Sequence, residues 1–241
     1  MLDVAGLCPI CEAESRFVAR DPWFRDHLLC VQCGSLPRER ALMATLHRFY
    51  PHWRELRIHE SSPAPRGASL KLRRECPGYI GSHYEPSIPF GEVHPEHGLR
   101  SEDLERQTFA DERFDLVITQ DVFEHLFRPD LAAAEIARTL AVGGAHVFTA
   151  PMPLQGPSVR RARRGEDGEI EHLDVPVYHG NPIDDSGSLV TIDYGLDMVP
   201  WLDGCSGLTT TIVMIDDLSQ GIRAELNEVL VSRKIAARLE I

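Results

Sequence analysis

Four of the six cysteines stand in two pairs, Cys8-Pro-Ile-Cys11 and Cys30-Val-Gln-Cys33, with 18 residues between them. A C-x-x-C turn aims two thiolates at one point, and two such turns complete a tetrahedron around Zn²⁺. The separation falls inside the window of structural zinc sites, and Pro9 and Gly34 suit the tight turns required. Four sulfur ligands leave no open position for water, so a zinc ion here is structural and not catalytic. Two redox disulfides or a [4Fe–4S] cluster would use the same residues and stay open as readings. Trp23, Phe24, His27 and Leu28 lie between the pairs and either pack on the rest of the chain or cover a substrate. Cys76 and Cys205 stand alone and read as buried apolar thiols.

A second group of chemically able residues is Asp121, Glu124 and His125. They follow a short apolar run, Phe114 to Thr119, rich in β-branched residues, which is the signature of a strand buried on both faces. Pro129 then opens an alanine-rich amphipathic helix with Leu131, Ala134, Ile136, Ala137 and Leu140 at helical spacing. Gly143-Gly144 is expected to end that helix, and Ala145 to Ala150 reads as the next buried strand. One βαβ unit thus spans residues 114–151. The carboxyl end of its first strand is the edge at which open α/β sheets bind ligands.

This block resembles the second half of a class I S-adenosylmethionine-dependent methyltransferase of the type 11 kind. There, a strand ending in an acidic or polar pair is followed by "EH", a helix, "GG" and a strand ending near proline. The corresponding residues are Gln120, Asp121, Glu124, His125, Gly143, Gly144 and Pro151. The resemblance implies an α/β, Rossmann-like seven-stranded methyltransferase sheet, mostly parallel with an antiparallel last strand, over residues 37–241. Residues 1–36 then form a small zinc-binding segment in front of it.

The resemblance also implies S-adenosylmethionine as the cofactor and names its contacts. The family follows its first strand with an acidic residue and glycines, as in E-x-G-x-G. Here the stretch from Ile58 to Gly67 reads IHESSPAPRG, so Glu60 ends the strand while Ser61, Ser62 and Pro63 stand where glycines are usual. A carboxylate there suits the methionine ammonium. No G-x-G-x-x-G is present, which counts against a nicotinamide dehydrogenase. After the second strand, His83, Tyr84 and Glu85 are candidates for the ribose, and either His83 or Glu85 could reach it. Asp103-Leu104 occupies the place where the family receives the adenine amino group. Gln120, Asp121 and Val122 would line the methionine side, and Asp115 reads as a structural residue.

Methyl transfer is an in-line displacement in which the enzyme aligns the nucleophile and excludes water. A general base is needed only where the acceptor is protonated. His125 and His179 are the catalytic candidates, because a histidine pKa lies near neutrality. Tyr178 and Asn181 could position an acceptor. The expected reaction is O-methylation of a small molecule or sugar-type metabolite. The competing readings are a zinc-binding interaction protein on a degenerate methyltransferase fold, favoured by the missing glycines, and an RNA or protein methyltransferase.

The whole chain bounds these readings. It has 241 residues, 25 Lys plus Arg against 37 Asp plus Glu, and a formal net charge of −12. Such a surface argues against unspecific binding to nucleic acid or anionic membrane. No apolar run approaches the roughly 18–20 residues that span a bilayer. The start, MLDVAGLCPICEAE, lacks the basic end and apolar core of a signal peptide, so a cytoplasmic location is the default. There, paired cysteines more often hold metal than form disulfides.

Around the 114–151 unit, the patterning predicts a helix over Pro37 to Tyr50 and a strand over Leu56 to Glu60. A basic helix over Ala68 to Glu75 and a second strand over Gly78 to Tyr84 follow, and then a loop over Pro86 to Arg100. Gln155 to Val177, with four arginines and then five acidic residues, reads as a mobile lid or insertion. Residues 189–203 read as partly helical, and Thr209 to Ile215 and Asn227 to Lys234 as two strands.

Overall fold

A computed structural model describes residues 1–153, 155–180 and 187–235. The chain opens with a hairpin of β1 (Leu2–Cys8) and β2 (Ala13–Ala19), then the short α1 (Phe24–His27) and β3 (Leu29–Cys30), which pairs with β2. The helix α2 (Pro37–Phe49) follows, with proline in its first turn. The Glu39 carboxylate accepts the Leu36 N–H at 2.8 Å and so caps it.

Next come β4 (Ile58–Ser61), α3 (Gly67–Glu75), β5 (Tyr79–His83), the two-residue β6 (Arg100–Ser101), β7 (Phe114–Gln120), α4 (Pro129–Thr139) and β8 (Leu140–Thr149). Small antiparallel pieces follow: β9 (Val159–Arg160), β10 (Ala162–Arg164), β11 (Ile170–His172), β12 (Tyr178–His179), β13 (Ser188–Leu189) and β14 (Ile192–Asp193). The chain closes with α5 (Met198–Ser206), β15 (Thr209–Val213) and β16 (Val229–Arg233).

The main sheet has seven strands in the order β15-β16-β8-β7-β4-β5-β6. The pairs from β6 to β8 are parallel, and β16 inserts antiparallel between β8 and β15. This is the seven-stranded, mostly parallel sheet that the resemblance implies. Its central strands β4 and β7 are buried on both faces, as helix-covered parallel sheets require. Leu116 and Ile118 face one apolar cluster with α2, α3 and the cysteine segment, while Val117 faces the other with α4 and α5. The alternation follows from the two-residue period of a strand.

The segment of residues 1–36 is not a separate core. Cys8, Phe17, Leu28 and Cys30 share the first cluster with Leu42, Leu46 and Ile222. The fully buried Arg40 joins the parts, donating to the carbonyls of Leu28 (2.7 Å), Gly221 (2.7 Å) and Ser35.

Two expectations change. Helix α4 stops at Thr139, and Gly143-Gly144 lies inside β8. A Cβ on Gly144 would sit 2.8 Å from the Asp115 carbonyl oxygen, so the glycine serves the close approach of β8 to β7, where the register shifts. The Gln155 to Val177 stretch is built and not merely polar: β10 pairs with β11, and Arg163 bridges Glu171 at 2.7 Å. Its charges alternate because they pair across a hairpin.

Candidate active site and metal centre

The carboxyl ends of β4, β5 and β7 open into a cavity of about 1410 Å³. Ser61 and Ser62 form its wall after β4, His83 and Tyr84 after β5, Asp103 and Leu104 after β6, and Gln120, Asp121 and Val122 after β7. His125, His179 and the uncharged edge of the β13 segment close the far side. The sheet therefore brings together nearly every cofactor and catalytic candidate named from the sequence. Glu60 and Glu85 are not in the wall. Asn181 lies outside the described residues.

The turn after β4 reaches its shape without the usual glycines. Ser62 has φ 56°, in the left-handed region, and its N–H donates to the Ser82 carbonyl at 2.7 Å. That conformation is strained for a residue with a Cβ and is held here by the neighbouring strand. Gly67, with φ 56°, is required: its Cβ would lie 2.4 Å from the Glu39 carboxylate, which also binds Arg66 at 2.9 Å.

Glu60 sits behind this turn, fully buried. Its carboxylate accepts from Ser69 Oγ at 2.6 Å, Tyr79 OH at 2.8 Å and Gln120 Nε2 at 2.9 Å. Burial pushes its pKa up, and these three donors oppose the shift. Gln120 thereby presents its amide to Glu60, leaving its carbonyl Oε1 buried with no partner among the described residues, at the cavity wall. An orphaned acceptor at this place fits a donor such as an ammonium. Across the cavity, Asp103 Oδ1 accepts the Glu105 N–H at 2.9 Å, while Leu104 is buried beside it. Glu85 turns away to accept from Ser87, so of the two ribose candidates His83 is the one at the wall.

Asp121 is the electrostatic pivot. At φ 51° its carboxylate receives Arg25 at 2.7 Å, Arg38 at 2.8 Å and Thr149 Oγ1 at 2.8 Å. Burial raises its pKa, but the two guanidinium groups outweigh this and hold it below the ordinary carboxylate range. Arg25 comes from α1 and also donates to the Leu226 carbonyl. Arg38 comes from the first turn of α2 and reaches Asp26 at 2.9 Å. The cysteine segment thus supplies part of the cavity wall, and Trp23 joins it.

The neighbouring Glu124 is 1 % exposed in its side chain, and neither carboxylate oxygen has a hydrogen-bond partner among the described residues. Burial, and then the Asp121 charge, push its pKa well above the ordinary value. His125 fixes its ring through Nδ1, 2.9 Å from the Leu189 carbonyl, which makes Nδ1 the protonated nitrogen and leaves the Nε2 lone pair free. The His179 ring stands edge-on to His125 at 5.2 Å, carried there by β12 pairing with β13. Burial lowers the pKa of both histidines, so both are neutral at pH 7.

At the other end of the cysteine segment, Cys8 and Cys33 Sγ lie 3.9 Å apart and Cys11 and Cys30 Sγ 3.8 Å apart. A Zn–S bond of about 2.3 Å gives a tetrahedral edge of about 3.8 Å. None of the four is in a disulfide. Ser15 and Ser35 hydroxyls touch Cys30 and Cys33 at 3.1 Å, and burial pushes the Cys11 thiol up to about 12.

Sequence reasoning missed Arg25, Arg38, Ser69, Tyr79 and Thr149, and it left Glu124 without a role. One signal was available for Arg38: a basic residue in a helix's first turn opposes the macrodipole and needs a carboxylate to settle it.

Residues 90–148 match the family described as a methyltransferase domain. No curated protein matches the chain in sequence. Among solved structures, an S-adenosylmethionine-dependent methyltransferase from Mesorhizobium loti is 15 % identical with a TM-score of 0.51, covering 80 % of this chain and 96 % of that one. CalS10 from Micromonospora echinaspora, an amino pentose methyltransferase with S-adenosylmethionine bound, involved in calicheamicin biosynthesis, is 15 % identical with a TM-score of 0.52. The shared part covers 83 % of this chain and 92 % of that one. These two likenesses establish the fold, and the family match runs through β7, α4 and most of β8. The chain has the fold of the class I S-adenosylmethionine-dependent methyltransferases, and its residues 90–148 carry the methyltransferase-domain match. No helix of the described residues is long and apolar enough to cross a membrane.

Proposed function

We propose that this chain is an S-adenosylmethionine-dependent methyltransferase that acts on an oxygen of a small, sugar-type acceptor, with one structural Zn²⁺ on Cys8, Cys11, Cys30 and Cys33. The observation that carries the reading is one cavity of about 1410 Å³, in which polar wall residues of four strand ends face His125 and His179. That volume exceeds the upper end of common ligand sites, about 1,000 Å³, and suits two molecules side by side. The likeness to a methyltransferase of amino pentoses supports a sugar-type acceptor, as does the net charge of −12, which disfavours a nucleic-acid partner.

S-adenosylmethionine supplies an electrophilic methyl group on a sulfonium. The residues present fit it: Gln120 Oε1 and the Ser61-Ser62 turn would hold the methionine end, His83 the ribose and Asp103 with Leu104 the adenine. Glu60 works at one remove, orienting Gln120. Arg25 and Arg38, locked on Asp121, cover the methionine side and exclude water, which strengthens every polar contact inside. His125, with its Nε2 lone pair free, and His179 are the groups placed to handle the acceptor's hydroxyl proton.

The competing reading is a fold that has lost catalysis, favoured by Ser62 in a glycine position. Incubating the zinc-loaded chain with S-adenosylmethionine and a panel of sugar, phenol and amine acceptors separates the two. Methyl transfer to a hydroxyl is expected. Tight cofactor binding without turnover on any acceptor, or no cofactor binding, contradicts the proposal.

A further inference from the structure

The structure assigns a second cation site to Glu124, His125 and His179, facing the cavity, for a divalent transition ion of the imidazole-binding kind such as Fe²⁺, with Mn²⁺ as its paramagnetic probe. One atom from each residue, a carboxylate oxygen and two ring nitrogens, lies within 4.8 Å of the others. His125 Nε2 is 3.8 Å and His179 Nδ1 3.9 Å from Glu124 Oε1. Metal bonds of about 2.1 Å give a tetrahedral edge of about 3.4 Å, so each ring nitrogen needs to draw about half an ångström toward Glu124 Oε1.

Three independent features point to a cation. First, Glu124 is a carboxylate with no hydrogen-bond partner at either oxygen among the described residues, almost wholly buried, in a cavity wall. Burying such a group without a partner is costly. The two arginines nearest to it are already committed to Asp121 at 2.7 and 2.8 Å. Second, the His125 Nδ1 contact with the Leu189 carbonyl is the outer-shell bond that metal-ligating histidines use to fix tautomer and direction. Third, the ligands come from the rigid strand-end turn at residues 123–125 and from β12, whose pairing with β13 returns the chain to the Leu189 carbonyl. Two nitrogens and one oxygen suit imidazole-tolerant divalent ions over Mg²⁺. The shell is also chemically distinct from the four thiolates, which favour Zn²⁺.

Three protein ligands leave coordination positions open toward the cavity. Resting on the methyl-transfer reading above, those positions would take acceptor oxygens, which narrows the substrate class to molecules with a hydroxyl next to a second oxygen donor. In that case both imidazoles act as ligands. The hydroxyl proton leaves to water, the oxygen pair forms the new C–O bond, and the C–S pair returns to sulfur as a neutral thioether.

The test uses the zinc-loaded chain, so that the cysteine site is filled, and titrates Mn²⁺ by electron paramagnetic resonance and calorimetry. One Mn²⁺ per chain is expected. Glu124→Gln, which keeps the volume, and His179→Ala, on an exposed hairpin, should each weaken it at least tenfold. Glu171→Gln should not. An absence of Mn²⁺ binding by the parent, or equal affinity in both ligand variants, overturns the site. Because the readout is metal binding, Mn²⁺ bound by a chain that ignores S-adenosylmethionine would break the functional reading and leave the site standing.

Discussion

Cys8, Cys11, Cys30 and Cys33 come from two tight turns in the first part of the chain and close a shell of sulfur in which every ligand faces another ligand. Glu124, His125 and His179 come from a strand-end turn and a distant hairpin, and their shell is open on the cavity side. The first arrangement can only hold a fold together. The second can exchange a ligand. Between them run Arg25 and Arg38, which tie the closed cluster's segment to Asp121, three residues before Glu124. The difference teaches that the small segment is a wall of the site: a metal on its four cysteines would support residues that shape the cavity's charge.

Breaking the closed cluster should have the largest effect. Structural zinc contributes about 10–16 kcal/mol in zinc-finger peptides, as much as the whole stability of a typical domain, about 5–15 kcal/mol. Cys30→Ser should lose the zinc and strip hydrogen-exchange protection from β1, β2 and α1 before the main sheet. Since Arg25 leaves with the segment, cofactor affinity should fall as well. Full metal occupancy in that variant refutes the assignment.

Severing the tie without touching the metal is the next test. Asp121→Asn removes the charge that two partly buried arginines share, and such a loss costs about 3–5 kcal/mol. Urea unfolding should show a lower midpoint with zinc content unchanged. An unshifted midpoint would mean that the segment is held by Arg40 and apolar packing alone.

The sheet between the two clusters carries its own pH sensitivity. His59 Nε2 contacts Ser82 Oγ at 2.8 Å and His146 Nε2 contacts Thr119 Oγ1 at 3.0 Å, both fully buried. Burial lowers each pKa from 6.5 to about 3. The folded pKa is below the unfolded one, so their contribution is complete above pH 6.5 and is lost as pH falls toward 3. Glu124 has the opposite sign. Its folded pKa is raised, so its contribution is present below the ordinary glutamate value and is lost as pH rises. Mn²⁺ should offset the Glu124 loss at high pH and leave the acid limb unchanged. His146→Gln should flatten the acid limb in stability measured against pH.

How much of this the sequence carried follows from distance along the chain. The cysteine spacing, the apolar run from Phe114 and the proline at the start of α4 are local signals: the run forms a strand, the proline opens a helix, and the spacing brings four thiols together. The glycine pair misled because its role is set by the Asp115 carbonyl in the neighbouring strand, which no local pattern reports. The Gln155 to Val177 charges looked like solvated polarity because their pairing across β10 and β11 depends on a turn. Most of the cavity wall was legible through strand ends. The partners that decide each side chain's role were not: Tyr79 for Glu60, Arg25 for Asp121, and His179 for Glu124 meet only when the sheet and the hairpins close.

The central claim is that the strand-end cavity is the S-adenosylmethionine site, and calorimetric titration of S-adenosylmethionine into the zinc-loaded parent, Glu60→Gln and Asp103→Ala tests it most directly. Saturable one-to-one binding is expected in the parent. Loss of a charge-assisted hydrogen bond, about 1.5–3 kcal/mol, should weaken Asp103→Ala by about 10- to 150-fold. Glu60→Gln, which disturbs Gln120 without touching the ligand, should fall less. Equal affinity in all three proteins would contradict the placement of the cofactor in this cavity.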